Sequence, residues 1–219
     1  MFKIKILSAL LCLMVLIISA DSRAADNLTL NKHTDSSQLS PTFFNLGGGA
    51  AMSDKTYHDD DQKTRTDKVY YTSTHSYNSN YSSKEIAMIL NPSTGRLGNL
   101  FEDTKVEKSS KSNGFNVMMG ISTPLKTFDC ASTLTFKSFK SSGKDIYVYT
   151  FSNFNMVFTG IVIQVEVEEV GPETKIKLFQ IAAVKGSTYD KLKSYLAVGK
   201  FEKALKVNIR KLKDGVGGI

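Results

Sequence analysis

The sequence predicts an α+β fold, in which an antiparallel sheet of about seven strands is closed by one long C-terminal helix. Three observations lead to this prediction: strand-like segments with two-residue alternation continue to Val184, a short capped helix follows the first of them, and an amphipathic stretch runs from Ser187 to Asp214. An amphipathic helix buries its apolar stripe against another element, and the preceding sheet offers an apolar face for it.

The first 24 residues have the pattern of a cleaved secretory signal. Lys3 and Lys5 precede an apolar run over 6–18, and Ser22 and Ala24 supply small residues at the −3 and −1 positions. A membrane anchor is the alternative, but the run is shorter than the ~20 residues that cross a bilayer. We therefore expect cleavage after Ala24 and no transmembrane segment in the mature chain. The protein is expected to be secreted, either to a periplasm or to the extracellular space. The signal and the lysine-rich composition are typical of a bacterial protein.

Residues 25–66 are predicted to be a flexible polar N-terminal extension. They are rich in Ser, Thr, Asn and Asp, a composition that buries too little apolar surface to fold alone. An apolar island over 43–46 precedes three glycines, but no strand leads into them and no Lys-Ser/Thr follows, so a phosphate loop is excluded. The folded domain is expected to span 67–219.

The domain opens with a strand and a short helix. Val69 to about Tyr77 is β-branched and aromatic, which favours a strand. Ser82 or Ser83 is a suitable N-cap, Glu85 falls in the first turn, and Pro92 ends the helix. One more helical turn is expected within 93–98.

Six further strands follow, separated by turns rich in glycine, proline or lysine and serine. In the segment 156–170, apolar residues alternate with Gln164, Glu166 and Glu168, which predicts one buried and one solvent-exposed face. Lysines of the last strand are expected to lie across from these acids. The six strands are 99–108, 115–122, 130–139, 146–152, 156–170 and 175–184.

The C-terminal stretch 187–214 is predicted as a single helix. Ser187 is its N-cap, and Leu192, Leu196, Leu205 and Ile209 recur at three- and four-residue spacing. Gly199 falls where the stripe predicts a contact, so it either allows close approach to the sheet or breaks the stretch into two helices.

Composition and motifs argue against several classes of function. The chain carries a net charge of +7, of which +2 belongs to the signal, and so mild an excess on an exported chain argues against nucleic acid. Cys130 is the only cysteine after residue 24, so an internal disulfide is excluded and a small buried hydrophobe is expected there. No motif of a structural zinc site, hydrolase elbow or zinc protease occurs, so no metal, cofactor or catalytic residue is predicted.

The order of elements resembles the helix-grip fold. Residues 83–90 after the first strand, the meander 99–184 and the helix 187–213 match its order β-α-α-β6-α, over roughly 68–214. This is the START-like, Bet v 1-like superfamily (SRPBCC), which includes lipid-transfer proteins, plant ligand carriers and polyketide cyclase/aromatases. The loop 109–114 departs from the glycine-rich loop of the plant members. A lipocalin-like barrel is disfavoured by the helix after the first strand, while a generic α+β sandwich stays open.

The resemblance implies a hydrophobic ligand held between the sheet and the C-terminal helix. Arg96, just after the short helix, is the candidate polar anchor at the mouth of such a pocket. The side chains expected to line it are Met119, Phe136, Tyr149, Phe158, Phe179 and Tyr195.

Three function classes follow. The first is an exported protein that binds or transfers a lipid or other apolar small molecule. The second is a non-catalytic interaction module, whose basic helix face (Lys200, Lys203, Lys206 and Arg210) contacts an envelope surface or a protein partner. The third is a cyclase/aromatase-like enzyme, for which the sequence offers only His75 and tyrosines as acid–base groups.

Overall fold

The structure is a computed structural model of the 219-residue chain. It describes residues 30–33, 56–58, 64–66, 68–94, 96, 104–109, 114–122, 127–155, 157–194 and 198–218. The predicted signal and most of the predicted extension therefore lie outside the described residues.

Ten strands and three α-helices make up the described part of the chain. The helices are α1 (Ser83–Leu90), α2 (Gly186–Ser194) and α3 (Val198–Gly215), and a 3-10 turn at Pro92–Thr94 follows α1. The strands are β1 (Asn31–His33), β2 (Thr56–His58), β3 (Thr64–Thr66), β4 (Lys68–Ser79), β5 (Thr104–Lys108), β6 (Phe115–Ser122), β7 (Thr127–Ser141), β8 (Lys144–Ser152), β9 (Phe158–Val170) and β10 (Glu173–Lys185).

Eight of the strands form one antiparallel sheet, in the order β1-β4-β10-β9-β8-β7-β6-β5, while β2 and β3 pair separately. From β5 to β10 each strand pairs with its neighbour in sequence, which is the predicted meander. The first long strand, β4, is the exception, because it pairs with the last strand, β10. The molecule is thus α+β with a large antiparallel sheet and few helices.

Alternation along the strands gives the sheet an inner face, which carries the main core. In β9, Ile161, Ile163 and Val165 point into this core. The predicted facing of acids and lysines is confirmed, since Lys175 lies opposite Glu168 and Lys177 lies opposite Glu166.

The outer face is solvent-exposed only in part, whereas the sequence predicted a solvent-exposed face along 156–170, where Gln164 is in fact buried. A second, smaller cluster is buried there in the middle of the sheet, while charged side chains such as Lys137, Lys175 and Lys177 are exposed around it. This cluster consists of Tyr70, Val148, Val162, Ile181 and Ala183.

The helices cover the inner face. Ser82, one of the two predicted N-caps, forms a capping box with Glu85 at the start of α1, and Ile86 and Leu90 are fully buried. The apolar stripe of α3 lies in the same core cluster as the inner face of the sheet; it comprises Phe201, Leu205, Ile209 and Leu212.

The C-terminal stretch forms two helices, α2 and α3, as the alternative to a single helix allowed. Gly199 is exposed, and a Cβ atom there would meet nothing within 4 Å. The prediction that Gly199 allows close approach to the sheet is therefore wrong, because the residue faces open space.

The end of α3 is fastened to the end of β4. Ser79 Oγ donates to the Val216 carbonyl at 2.6 Å, and the Asn80 amide donates to the Gly217 carbonyl at 3.0 Å. These bonds fix the helix over the strand that opens the domain.

The folded structure also includes a part of the chain expected to be a flexible extension. β1 pairs with β4, placing Lys32 opposite Tyr71, and Lys32 Nζ donates to the Tyr189 hydroxyl of α2 at 2.9 Å. A three-residue strand without alternation gives little sequence signal, which is why no strand was predicted before Val69.

Candidate functional site

Three aromatic rings form a wall on the inner face of β7 and β8. The ring centre of Phe136 lies 5.2 Å from that of Tyr149 and 6.4 Å from that of Tyr147. Tyr149 is fully buried, and its hydroxyl donates to the carbonyl of Leu90 at the end of α1. Burial, and then the neighbouring Tyr147, raises the pKa of Tyr149, so its hydroxyl stays protonated as a donor.

A second group of rings joins the sheet to α3. Phe158 lies 5.3 Å from Phe154 and 5.8 Å from Phe201, measured between ring centres. Phe201 also packs edge-on against Tyr71 of β4 at 6.0 Å. The start of α3 is therefore held by contacts with two strands of the sheet.

A groove of about 340 Å³ opens between α1 and the hairpin of β7 and β8. Ala87 and Asn91 contribute from the helix side, and Phe136 and Tyr147 contribute from the aromatic wall. The ion pair of Lys140 with Asp145, at 3.4 Å, lies on the hairpin side. The volume falls in the range of small-molecule sites, and the groove reaches the wall through the half-buried ring of Phe136.

Four of the predicted ligand-binding residues share the inner face. Met119, Tyr149 and Phe158 are buried in the main core, and Phe136 is packed against it. Only Phe136 of these four also lines the groove.

Of the other predicted site residues, Phe179 is not brought to this wall. Phe179 lies on the outer face, where Lys177 Nζ sits 4.6 Å from its ring centre, because Leu178 and Gln180 take the inward positions of β10. Arg96 is exposed, and Tyr195 lies outside the described residues. A shift of one residue reverses the face of a strand side chain, which accounts for Phe179.

Sequence reasoning missed a polar row on the inner face of β4, which we call the β4 row: Tyr71, Ser73, His75 and Tyr77. Its signal is present in the sequence, because hydroxyl and imidazole side chains occupy every second position of the strand. Both faces of β4 are polar beyond Tyr71, however, so alternation alone does not identify the inner one.

The tyrosines of the β4 row are held neutral. Burial, and then the charge of Glu202 on α3, raises the pKa of Tyr71. Burial, and then Asp214, raises the pKa of Tyr77. Both phenols therefore stay protonated at neutral pH, able to donate and accept hydrogen bonds but not to act as bases.

The described residues give little support to other chemistry. They include no cluster of histidine, cysteine or acidic side chains that could hold a metal ion. Cys130 is buried as predicted, and burial, and then Asp129, raises the pKa of its thiol to about 11. A protonated buried thiol is a poor nucleophile.

The basic residues predicted to form an interaction face on α3 differ in exposure. Lys203 is exposed, whereas Lys206 and Arg210 are half-buried, and the Lys200 side chain is not among those described. Within the described part of the chain, no helix has the length and apolarity needed to cross a bilayer.

Comparisons with known proteins give weak likenesses only. No protein-family model matches the chain, and no curated protein matches it. Among solved structures, Ara h 8.0201 aligns with 14% identity and a TM-score of 0.39, over 64% of this chain and 99% of that chain.

Two further structures align at a similar level. The di-domain ARO/CYC BexL aligns with 12% identity and a TM-score of 0.46, over 68% of this chain and 51% of its own. The lipid transfer and protein localization domain of human StarD13 aligns with 14% identity and a TM-score of 0.39, over 81% and 98%. These neighbours include proteins of the START-like and Bet v 1-like kind. At such identities and TM-scores they assign no activity to this chain.

Proposed function

We propose that the protein is exported and binds or transfers a lipid or other apolar small molecule between the inner face of its sheet and α3, in a helix-grip arrangement. The observation that carries the proposal is the aromatic wall on the inner face of the sheet, which the groove between α1 and the hairpin of β7 and β8 reaches at Phe136. A half-buried phenylalanine ring at such an opening offers an apolar ligand a contact that water does not satisfy.

Ligand uptake tests this proposal. The mature protein, purified natively, is expected to carry an apolar molecule that native mass spectrometry or solvent extraction detects, or to take up a neutral fluorophore such as N-phenyl-1-naphthylamine. Phe136→Ala is expected to weaken uptake about tenfold, since truncating a buried or half-buried ring removes roughly 1–2 kcal/mol of apolar contact.

Phe179→Ala is the matched control, because it deletes the same ring from the outer face of the same sheet. Uptake unchanged in this variant supports a site on the inner face. Equal losses in the two variants, or a protein that takes up no apolar molecule, would refute the proposal.

Export rests on the first 24 residues. We expect the protein recovered from outside the cytoplasm of an expressing bacterium to begin at Ala25, as measured by intact mass. Full-length protein retained in the membrane fraction would support the anchor instead.

An enzyme is the second candidate function, because the β4 row places His75 and two tyrosines on the inner face of the sheet. Binding is the better supported function, because both tyrosines are held neutral and the aromatic wall itself carries no base. Release of an unaltered ligand on solvent extraction supports binding, whereas a chemically changed ligand would support the enzyme.

A further inference from the structure

The β4 row contains hydrogen-bonding groups that the protein itself does not use. Ser73 is 1% exposed, and neither its Oγ nor the hydroxyl of Tyr77 makes a hydrogen bond. More than about 90% of buried polar groups in proteins are hydrogen-bonded, so two unused groups on one strand face need a partner that the fold does not supply. Gln180 lies directly opposite Ser73, and Ser73 Oγ makes no bond to it.

The row lies beneath α3, where the proposed ligand would be held. At one end, Tyr71 packs on Phe201 near the start of the helix. At the other end, Lys213 Nζ lies 5.8 Å from the ring centre of Tyr77. By their order along β4, Ser73 and His75 fall between these two contacts.

We propose that the β4 row binds the neutral polar group of an amphipathic ligand, a hydroxyl or carbonyl attached to an apolar body. This inference rests on the proposed function and narrows its ligand class. A serine or tyrosine hydroxyl both donates and accepts, so it satisfies either a ligand hydroxyl or a ligand carbonyl.

The charges around the row favour a neutral group over an anion. Glu202 lies near Tyr71, and its charge raises the pKa of that phenol in addition to burial. Asp214 acts in the same way on Tyr77, although Lys213 lies over that ring. A ligand carboxylate or phosphate would approach at least one acidic side chain in a site shielded from water, where like charges repel most strongly.

Three ligands of equal length provide the test: 1-dodecanol, dodecane and laurate, each competing with N-phenyl-1-naphthylamine for the mature protein. We expect the alcohol to bind about five- to tenfold more tightly than the alkane, the effect of one net hydrogen bond. Laurate is expected to bind more weakly than the alcohol at neutral pH.

Two variants test whether the β4 row causes the difference in affinity between alcohol and alkane. Ser73→Ala and Tyr77→Phe should each lower the preference for alcohol over alkane and leave alkane affinity unchanged. In the ligand-free protein, Ser73→Ala should leave the free energy of unfolding unchanged or raise it, because it removes an unsatisfied buried group.

Ser132→Ala is the control, since it removes another buried hydroxyl without a hydrogen bond, from β7 at a distance of four strands. Its ratio of alcohol to alkane affinity should match that of the unmodified protein. Equal binding of alcohol and alkane, or a ratio that Ser73→Ala and Tyr77→Phe leave unchanged, would overturn the inference while leaving the proposed function intact. Failure of all three ligands to bind would overturn both.

Discussion

Tyr149 ties the sheet to α1 through a single side-chain hydrogen bond. Its hydroxyl donates to the Leu90 carbonyl, and both residues are fully buried. Tyr149→Phe leaves that carbonyl without this donor, so we expect the free energy of unfolding to fall by about 1–3 kcal/mol. Urea denaturation measures the change.

Tyr147→Phe is the control for this variant, on the same strand and the same face. The Tyr147 hydroxyl makes no hydrogen bond to another described residue, so we expect a change in the free energy of unfolding near zero. A loss as large as that of Tyr149→Phe would show that the bond to Leu90 is not the cause.

Cys130 makes the free energy of unfolding depend on pH in the alkaline range. Burial, and then Asp129, raises the pKa of the thiol from 9.0 to about 11. The folded state therefore keeps a proton that the unfolded chain loses first, so the contribution is fully present below pH 9 and is lost as the pH rises through 11. The difference in unfolding free energy between the protein and Cys130→Ala should be constant below pH 9 and shrink above it.

A thiol reagent gives an independent check on Cys130. In the folded protein at pH 8 we expect almost no reaction, and rapid reaction once urea unfolds the chain. Fast labelling of the native protein would contradict the burial of this residue.

At the scale of elements, the cap of α1 sets where the helix begins. The Ser82 amide and hydroxyl donate to Glu85 Oε2 at 2.8 and 2.7 Å. Ser82→Ala is expected to lower stability by about 1 kcal/mol at neutral pH. These hydrogen bonds lower the pKa of Glu85, so its contribution is present above pH 4.5 and is lost as the pH falls through the folded value.

Thermal or urea unfolding of Ser82→Ala at several pH values tests the cap, with Lys84→Ala in the same exposed turn as control. The penalty of Ser82→Ala should shrink below pH 4.5, and the effect of Lys84→Ala should be near zero throughout. A penalty that does not change with pH would exclude Glu85 from the cap.

Two glycines, one in the first turn of α3 and one just after its last residue, are expected to respond in opposite ways to substitution by alanine. Gly199 faces open space within the helix, so Gly199→Ala should stabilise the protein by roughly 0.5–1 kcal/mol. Gly217 has φ +69°, and an added Cβ would overlap Asn80 and Tyr81, so Gly217→Ala should destabilise it by more than about 1 kcal/mol. Opposite shifts in melting temperature are the expected result, and a destabilised Gly199→Ala would place that residue against a neighbour.

Most elements could be predicted from the sequence because their signals are local. The alternation in 156–170 and the capping pair of Ser82 and Glu85 depend on residues within a few positions of each other. The pairing of β1 with β4 depends on contacts distant in sequence, which local patterns do not report.

At the scale of the whole molecule, part of the candidate site could be predicted from the sequence. Met119, Phe136, Tyr149 and Phe158 share one face because the alternation of β6 to β9 is clear. The β4 row escaped prediction because its strand is polar on both faces, and only its pairing with β10 shows which side faces the core. The sequence therefore predicts the apolar part of the candidate site more clearly than its polar part.

The pairing of β4 with β10 bears on when the chain folds. Ser73 and Gln180 are neighbours in the sheet yet lie about 100 residues apart in sequence. Contacts of this kind close large loops and form slowly. The nascent chain therefore cannot complete its sheet until β10 has been synthesised, and β4 waits for its partner while the whole meander is made.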